Sequence, residues 1–198
     1  AARVAEVRRF AVETPKVARG WLGRLLPSVP VRLLDIRPLP AGDDPAPSWD
    51  PWLAPLLAGE SVGLLSDAGC PGIADPGAAL VGAAHDAGIP VRPLVGPSAI
   101  VLLLMAGGLQ GQRFAFHGYL PVAPAEREQA IRALAQRARQ RDETQVVIET
   151  PYRNQAIADS LIATLPADAI LVIGADLTGA GESITRRRVA QWRRQPPT

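Results

Sequence analysis

Apolar residues in the first half of the chain fall into short runs, separated by stretches with helical spacing. Four runs read as strands: Arg9–Val12, Val31–Ile36, Val62–Leu65 and Val91–Val95. Between them lie helical patterns at Lys16–Leu26, Trp52–Ala58 and Pro76–Ala87, and a fourth opens at "GPSA" and ends at Gly107–Gly108. The third is the best punctuated. Asp75 stands where an N-cap belongs, Pro76 takes the first helical position and Gly88 follows the end. Strands alternating with helices predict an α/β fold with a mainly parallel sheet in this half.

After "GGLQGQ" (Gly107–Gln112) the texture changes. "RFAFHGYL" alternates like a half-buried strand, and a long arginine-rich helix follows at Pro124–Arg141. "TQVVIE" and "AILVIGAD" read as two further strands around a helix near Asn154–Leu165. The expected organisation is two α/β domains, 1–110 and 111–198, with a mixed sheet in the second. The proline-rich stretch Arg37–Pro51 reads as a loop after the second strand.

Composition fits a globular protein: of 198 residues, 47% are hydrophobic and 20% charged, enough for real cores. The single cysteine excludes an internal disulfide framework and points to the reducing cytoplasm. No apolar run has the length of a membrane span. The opening "AARVAEVRRF" has neither an initiator methionine nor the order of a signal peptide. The chain is therefore expected to start inside the native protein. The formal charge is only +2, but basic residues gather in Arg127–Arg141 and Thr185–Arg194. Such clusters meet phosphates, or they form a solvated helix face and a charged tail.

Three strand ends carry candidate chemistry. "SDAGCPGIADPG" (Ser66–Gly77) leaves one strand with small residues that let a ligand approach the backbone. "PLVGPSA" (Pro93–Ala99) and "VIETPYRN" (Val147–Asn154) leave two others. In an open α/β sheet, ligands sit outside the carboxyl ends of the strands. Asp75 has an ordinary reading as a cap, whereas a tight strand-to-helix connection does not require an acid at Asp67. Glu149 either faces a ligand or meets a neighbouring arginine. No dinucleotide-binding G-x-G-x-x-G follows a strand and no P-loop is present, which disfavours a Rossmann dehydrogenase and a P-loop NTPase. Cys70, His85 and His117 are not at metal-ligand spacing, so no metal is expected.

Together, "SDAGCPGIADPG", "PLVGPSAIVLLLMAGGLQGQRFAFHGYLP" and "IETPYR" resemble the signature blocks of the tetrapyrrole methylase superfamily, in particular its branch of ribosomal-RNA ribose 2′-O-methyltransferases. The resemblance runs from about Phe10 onwards. It implies a two-domain protein, usually a homodimer, that holds S-adenosylmethionine folded between strand-end loops of both halves. Carried over by position, cofactor contacts fall on Ser66, Asp67, Ala68, Gly69, Ile73 and Asp75, then on Ser98 and Ala99, and on Glu149, Thr150, Pro151 and Leu177. The acid-acid-Thr-Arg stretch of the RNA-modifying branch corresponds here to "ETPK", which makes Glu13 and Lys16 the substrate-side candidates. The family's opening strand and Thr-Pro-x-Gly-like loop have no counterpart, Cys70 replaces a threonine and Ala74 a serine. The resemblance implies direct methyl transfer, with ribose of small-subunit rRNA as acceptor and the small ribosomal subunit as partner. A tetrapyrrole-like small acceptor, or a cofactor-binding paralogue without activity, are the alternatives. The general base is not identified.

Overall fold

Phe10, Ala11 and Val12 are almost wholly buried and make β1 (Arg9–Val12) the centre of a three-stranded parallel sheet. Its neighbours are β2 (Asp35–Pro38) and β3 (Val62–Leu65), with Arg9 level with Asp35 on one side and Val62 on the other. Side chains alternate across a strand, so Phe10 and Val12 enter one layer and Ala11 the opposite one. The first layer is closed by Ala18, Leu22 and Leu26, from and just beyond α2 (Pro15–Leu25), with Leu34 and Ile36. The second is closed by Trp52 of α3 (Asp50–Leu57) and Leu80 of α4 (Ala78–Asp86). A short α1 (Ala2–Ala5) precedes β1. Burial of a central parallel strand on both faces is what its unbroken apolar run predicts.

The computed structural model describes residues 2–40 and 48–197 and falls into two units, Ala1–Pro97 and Ser98–Thr198. The second unit groups α5 (Ala99–Gly107) with the elements that follow it. Here β4 (Phe114–Phe116) and β5 (Thr144–Val146) pair in parallel across α6 (Pro124–Arg141). After α7 (Asn154–Thr164), β6 (Ile170–Ala175) pairs antiparallel with β7 (Ser183–Arg188), and α8 (Val189–Trp192) follows. These are two separate two-stranded sheets, one parallel and one antiparallel, rather than the single mixed sheet expected. Leu120, Ile131 and Ile157 form its largest buried cluster. Against β6, α5 packs so closely that a Cβ on Gly174 would lie 2.6 Å from Leu103.

Several local expectations are corrected. Val91–Val95 forms no strand: Pro93 has no amide to donate, and Leu94 and Val95 are exposed. Pro30 opens a 3₁₀ turn at Val31–Leu33, which delays β2 to Asp35. Asp75 and Pro76 do not start a helix. The Pro76 carbonyl accepts the Gly72 amide at 3.1 Å, Gly77 takes φ +125°, and α4 begins only at Ala78. The basic stretch after Glu182 is a strand and a helical turn rather than a tail. Of the proline-rich loop, residues 41–47 lie outside the described residues. Among the described residues no helix is long and apolar enough to cross a membrane.

Candidate functional site

The chain leaves the carboxyl ends of β1 and β3 side by side, and the two exits are tied together. The Glu13 amide donates to the Leu65 carbonyl at 3.2 Å. One residue on, the Thr14 amide donates to Asp67 Oδ1 at 3.1 Å, and the Asp67 amide donates to Glu13 Oε2 at 3.0 Å. Asp67 therefore has a structural partner that spacing alone does not reveal, since Thr14 lies 53 positions earlier. Both carboxylates stay exposed at the surface. Lys16, exposed in the first turn of α2, makes no hydrogen bond or ion pair among the described residues.

The loop after β3 turns through left-handed backbone at Gly69, Gly72, Ala74 and Gly77. Ser66 donates its hydroxyl to the Ala68 carbonyl at 3.0 Å, and the Ile73 amide reaches the Cys70 carbonyl at 3.1 Å. A Cβ on Gly69 would lie 3.3 Å from Asp75 Oδ2, so the two arms of the loop face each other. Burial raises the Asp75 pKa above the ordinary carboxylate range; the Ser66 hydroxyl opposes that shift, and the charges of Glu13 and Asp67 add to it. Glu13, Asp67 and Asp75 thus form one patch of negative potential. Ser66, Ala68, Gly69 and Ile73 belong to the same loop, with Ile73 half exposed. The Cys70 thiol donates to the Pro97 carbonyl at 3.2 Å, which joins this loop to the segment leading into Ser98.

In the second unit, Ser98 occupies the N-cap position of α5 without donating or accepting there, which leaves its hydroxyl available, and Ala99 starts the helix. The Glu149 side chain is only 7% exposed. Its Oε1 accepts the Thr150 amide at 2.8 Å and the Thr150 hydroxyl at 3.2 Å. Oε2 lies 3.3 Å from Arg153 Nη2, yet no hydrogen bond reaches it. Arg153 instead donates to the carbonyls of Leu120 and Pro121, fixing the "ETPYR" turn to the loop after β4. That anchoring role belongs to a residue outside the expected set. Its i, i+4 spacing from Glu149 was the available signal. Pro151 is exposed at the head of a 3₁₀ turn. Leu177 follows β6 between two left-handed residues, Asp176 and Thr178, and packs back toward Gly174. Asp176 Oδ2 accepts the Gly181 amide at 2.8 Å and holds this turn.

The model of the family described as Tetrapyrrole (Corrin/Porphyrin) Methylases matches residues 41–192. The chain belongs to the tetrapyrrole methylase family. Among curated tetrapyrrole methylase relatives, "Ribosomal RNA small subunit methyltransferase I" of Synechocystis sp. is 38% identical over 134 residues, covering 68% of this chain and 47% of that protein. The protein of the same name from Xylella fastidiosa is 39% identical over 129 residues, covering 65% and 46%. The chain spans about half the length of the curated relatives it matches. A solved tetrapyrrole methylase-like structure, "Crystal structure of the methyltransferase CobJ", superposes with a TM-score of 0.57 at 20% identity, over 96% of this chain and 78% of that one. That likeness carries the fold.

Proposed function

We propose that the protein is an S-adenosylmethionine-dependent methyltransferase that modifies the ribose 2′-hydroxyl of small-subunit rRNA. The observation that carries the cofactor reading is the clustering of Glu13, Asp67 and Asp75 at the ends of β1 and β3, where their negative charge is left without a basic partner among the described residues. S-adenosylmethionine presents a sulfonium and an ammonium, which such a cluster attracts. Support for the acceptor comes from the names of the relatives at 38% and 39% identity.

On this reading the cofactor candidates in the first unit are Ser66, Asp67, Ala68, Gly69, Ile73 and Asp75, and those in the second are Ser98, Ala99, Glu149, Thr150, Pro151 and Leu177. The donor set fits: an open serine hydroxyl at Ser98, a buried carboxylate oxygen at Glu149 with capacity to accept, and small residues at Ala68 and Gly69 beside loop amides. Bound S-adenosylmethionine supplies an electrophilic methyl group for in-line transfer. The protein's contribution is positioning of the two reactants. Glu13 is partly engaged by the Asp67 amide and orients that loop, while Lys16 is free to meet a phosphate. The protein works in the cytoplasm as a homodimer, without a metal.

The test is methyl transfer from radiolabelled S-adenosylmethionine by the full-length protein to small ribosomal subunits, to naked rRNA and to a small-molecule extract. Label on the ribose of rRNA is expected, with cofactor affinity of about micromolar order by calorimetry. Label confined to the small-molecule fraction would move the acceptor, and absence of binding heat would remove the cofactor.

A further inference from the structure

The two arginine-rich stretches of this chain differ once folded. On and around α6, arginines are answered by carboxylates: Arg132 by Glu128 at 2.9 Å, Arg137 by Glu143 at 2.6 Å and Arg139 by Asp168 at 2.8 Å. The stretch Ser183–Pro197 holds five arginines and no acid. None of those five enters an ion pair among the described residues. Arg188 and Arg193 donate to backbone carbonyls instead, of Asp168 at 3.2 Å and of Ile162 and Leu165 at 3.0 and 2.8 Å. These bonds secure the backbone but neutralise no charge.

Arg187 is held by two contacts. Its guanidinium lies 4.9 Å from the ring centre of Trp192 and donates to the Gln195 carbonyl at 3.0 Å. Trp192 is itself only 3% exposed, with its indole N–H on the Leu171 carbonyl at 3.0 Å. A stacked guanidinium loses little further freedom on binding and keeps most of its five donors. Beside it, Gln191, Arg194 and Gln195 complete the wall of a pocket of about 230 Å³. Two guanidinium groups around a small polar pocket match the planar, forked recognition of phosphate oxygens. Because Trp192 is buried under Arg187, no ring is offered for a base to stack on.

We infer that β7 and α8 form a surface for the RNA phosphate backbone, with Arg187 and Arg194 gripping one phosphate in the pocket. This rests on the RNA acceptor proposed above and assigns it a second contact. The surface reads charge rather than sequence, so it contributes affinity and leaves the choice of nucleotide to the site of methyl transfer.

The test compares the full-length protein with R187Q/R194Q and with R194E alone, by filter binding of a labelled small-subunit rRNA fragment across a salt series. Arg194 makes no hydrogen bond through its side chain among the described residues, so R194E tests the pocket without disturbing Trp192. Expected are affinity losses of about tenfold near physiological salt and a salt slope smaller by about one to two phosphates. Two unrelated RNA sequences should lose equally, with S-adenosylmethionine binding and melting temperature retained for R194E. Wild-type affinity and slope in both variants would overturn the surface while leaving RNA methylation standing. Variants that bind naked RNA normally yet fail on assembled subunits would assign the patch to an acidic protein partner, which also overturns it. A wild-type protein that neither binds nor methylates RNA would bring down the acceptor reading itself.

Discussion

The Asp67 amide donates to the Glu13 carboxylate at 3.0 Å, while the Asp67 carboxylate accepts the amide of the next residue, Thr14, at 3.1 Å. Each acid thus anchors the backbone at the other's strand exit. The loop after β3 is held against the start of α2 through side chains that also set the local charge. Positioning and electrostatics are coupled in the same two residues.

Separating the two roles needs two substitutions at one position. Asp67→Asn keeps an oxygen for the Thr14 amide and removes the charge. Asp67→Ala removes both. We expect the asparagine variant to keep its thermal stability and lose cofactor affinity, and the alanine variant to lose about 1 kcal/mol of stability as well. Calorimetric titration with S-adenosylmethionine beside thermal melts reads both effects. Equal affinity in the wild type and Asp67→Asn would make Asp67 purely structural.

Asp75 and Glu143 give opposite responses to pH. The Asp75 pKa is raised above its ordinary 3.8, so the folded state favours its protonated form. The stability it contributes is complete below that ordinary value and is lost as pH rises through the raised one. Glu143 is held down from 4.5 to about 2, first by its hydrogen bond from Arg137 and then by Gln145. Its contribution is complete above 4.5 and disappears as pH falls through about 2. Urea midpoints against pH should therefore rise at neutral pH for Asp75→Asn and fall there for Glu143→Gln. In acid, the Glu143→Gln deficit should shrink. Parallel curves for wild type and Asp75→Asn would contradict the burial-driven shift.

Much of this architecture is legible in the chain because the decisive signals are local. The unbroken apolar run at β1, the proline-led starts of α2 and α6 and the glycine after α5 mark their elements directly. The strand-end loops stand out in the sequence as candidates because α/β sheets put ligands there. What was hidden is non-local or counter to propensity. "SITRRR" carries a charge on half its positions, yet it pairs with β6 along six residues because that strand has no other partner among the described residues. Val91–Val95 has the composition of a strand but forms none. Asp75 sits before Pro-Gly like a cap, but Gly77 at φ +125° postpones the helix. The link from Asp67 to Thr14 spans 53 positions and leaves no pattern in either segment.

Gly77 is the glycine on which the loop after β3 turns. Its φ of +125° is one that a residue with a side chain rarely adopts, and a Cβ there would lie 2.8 Å from Leu64 Cδ2. Strain and overpacking act together, so Gly77→Ala should cost about 2 kcal/mol. Gly82, inside α4 with open space around it, is the control: Gly82→Ala should be neutral or stabilising by up to about 1 kcal/mol. A melting temperature for Gly77→Ala equal to that of Gly82→Ala would refute the strained turn.

The Glu149–Arg153 pair makes the sharpest prediction for the second unit. Glu149 is 7% exposed and Arg153 21%, and among the described residues Oε2 of the acid has no neighbour of opposite charge other than that guanidinium. Arg153→Ala leaves a buried carboxylate without its counter-charge and frees the Leu120 and Pro121 carbonyls, a loss expected to reach about 3 kcal/mol. Glu149→Gln keeps an acceptor for the Thr150 amide and removes the charge, so it should cost much less. Adding Glu149→Gln to Arg153→Ala should then recover part of the loss, a coupling that a double-mutant cycle measures. Cofactor binding distinguishes anchoring from contact. If Glu149 meets the ligand, Glu149→Gln weakens S-adenosylmethionine while the fold stays intact. Additive losses in the cycle, with affinity unchanged, would show that neither the ion pair nor the open oxygen matters there.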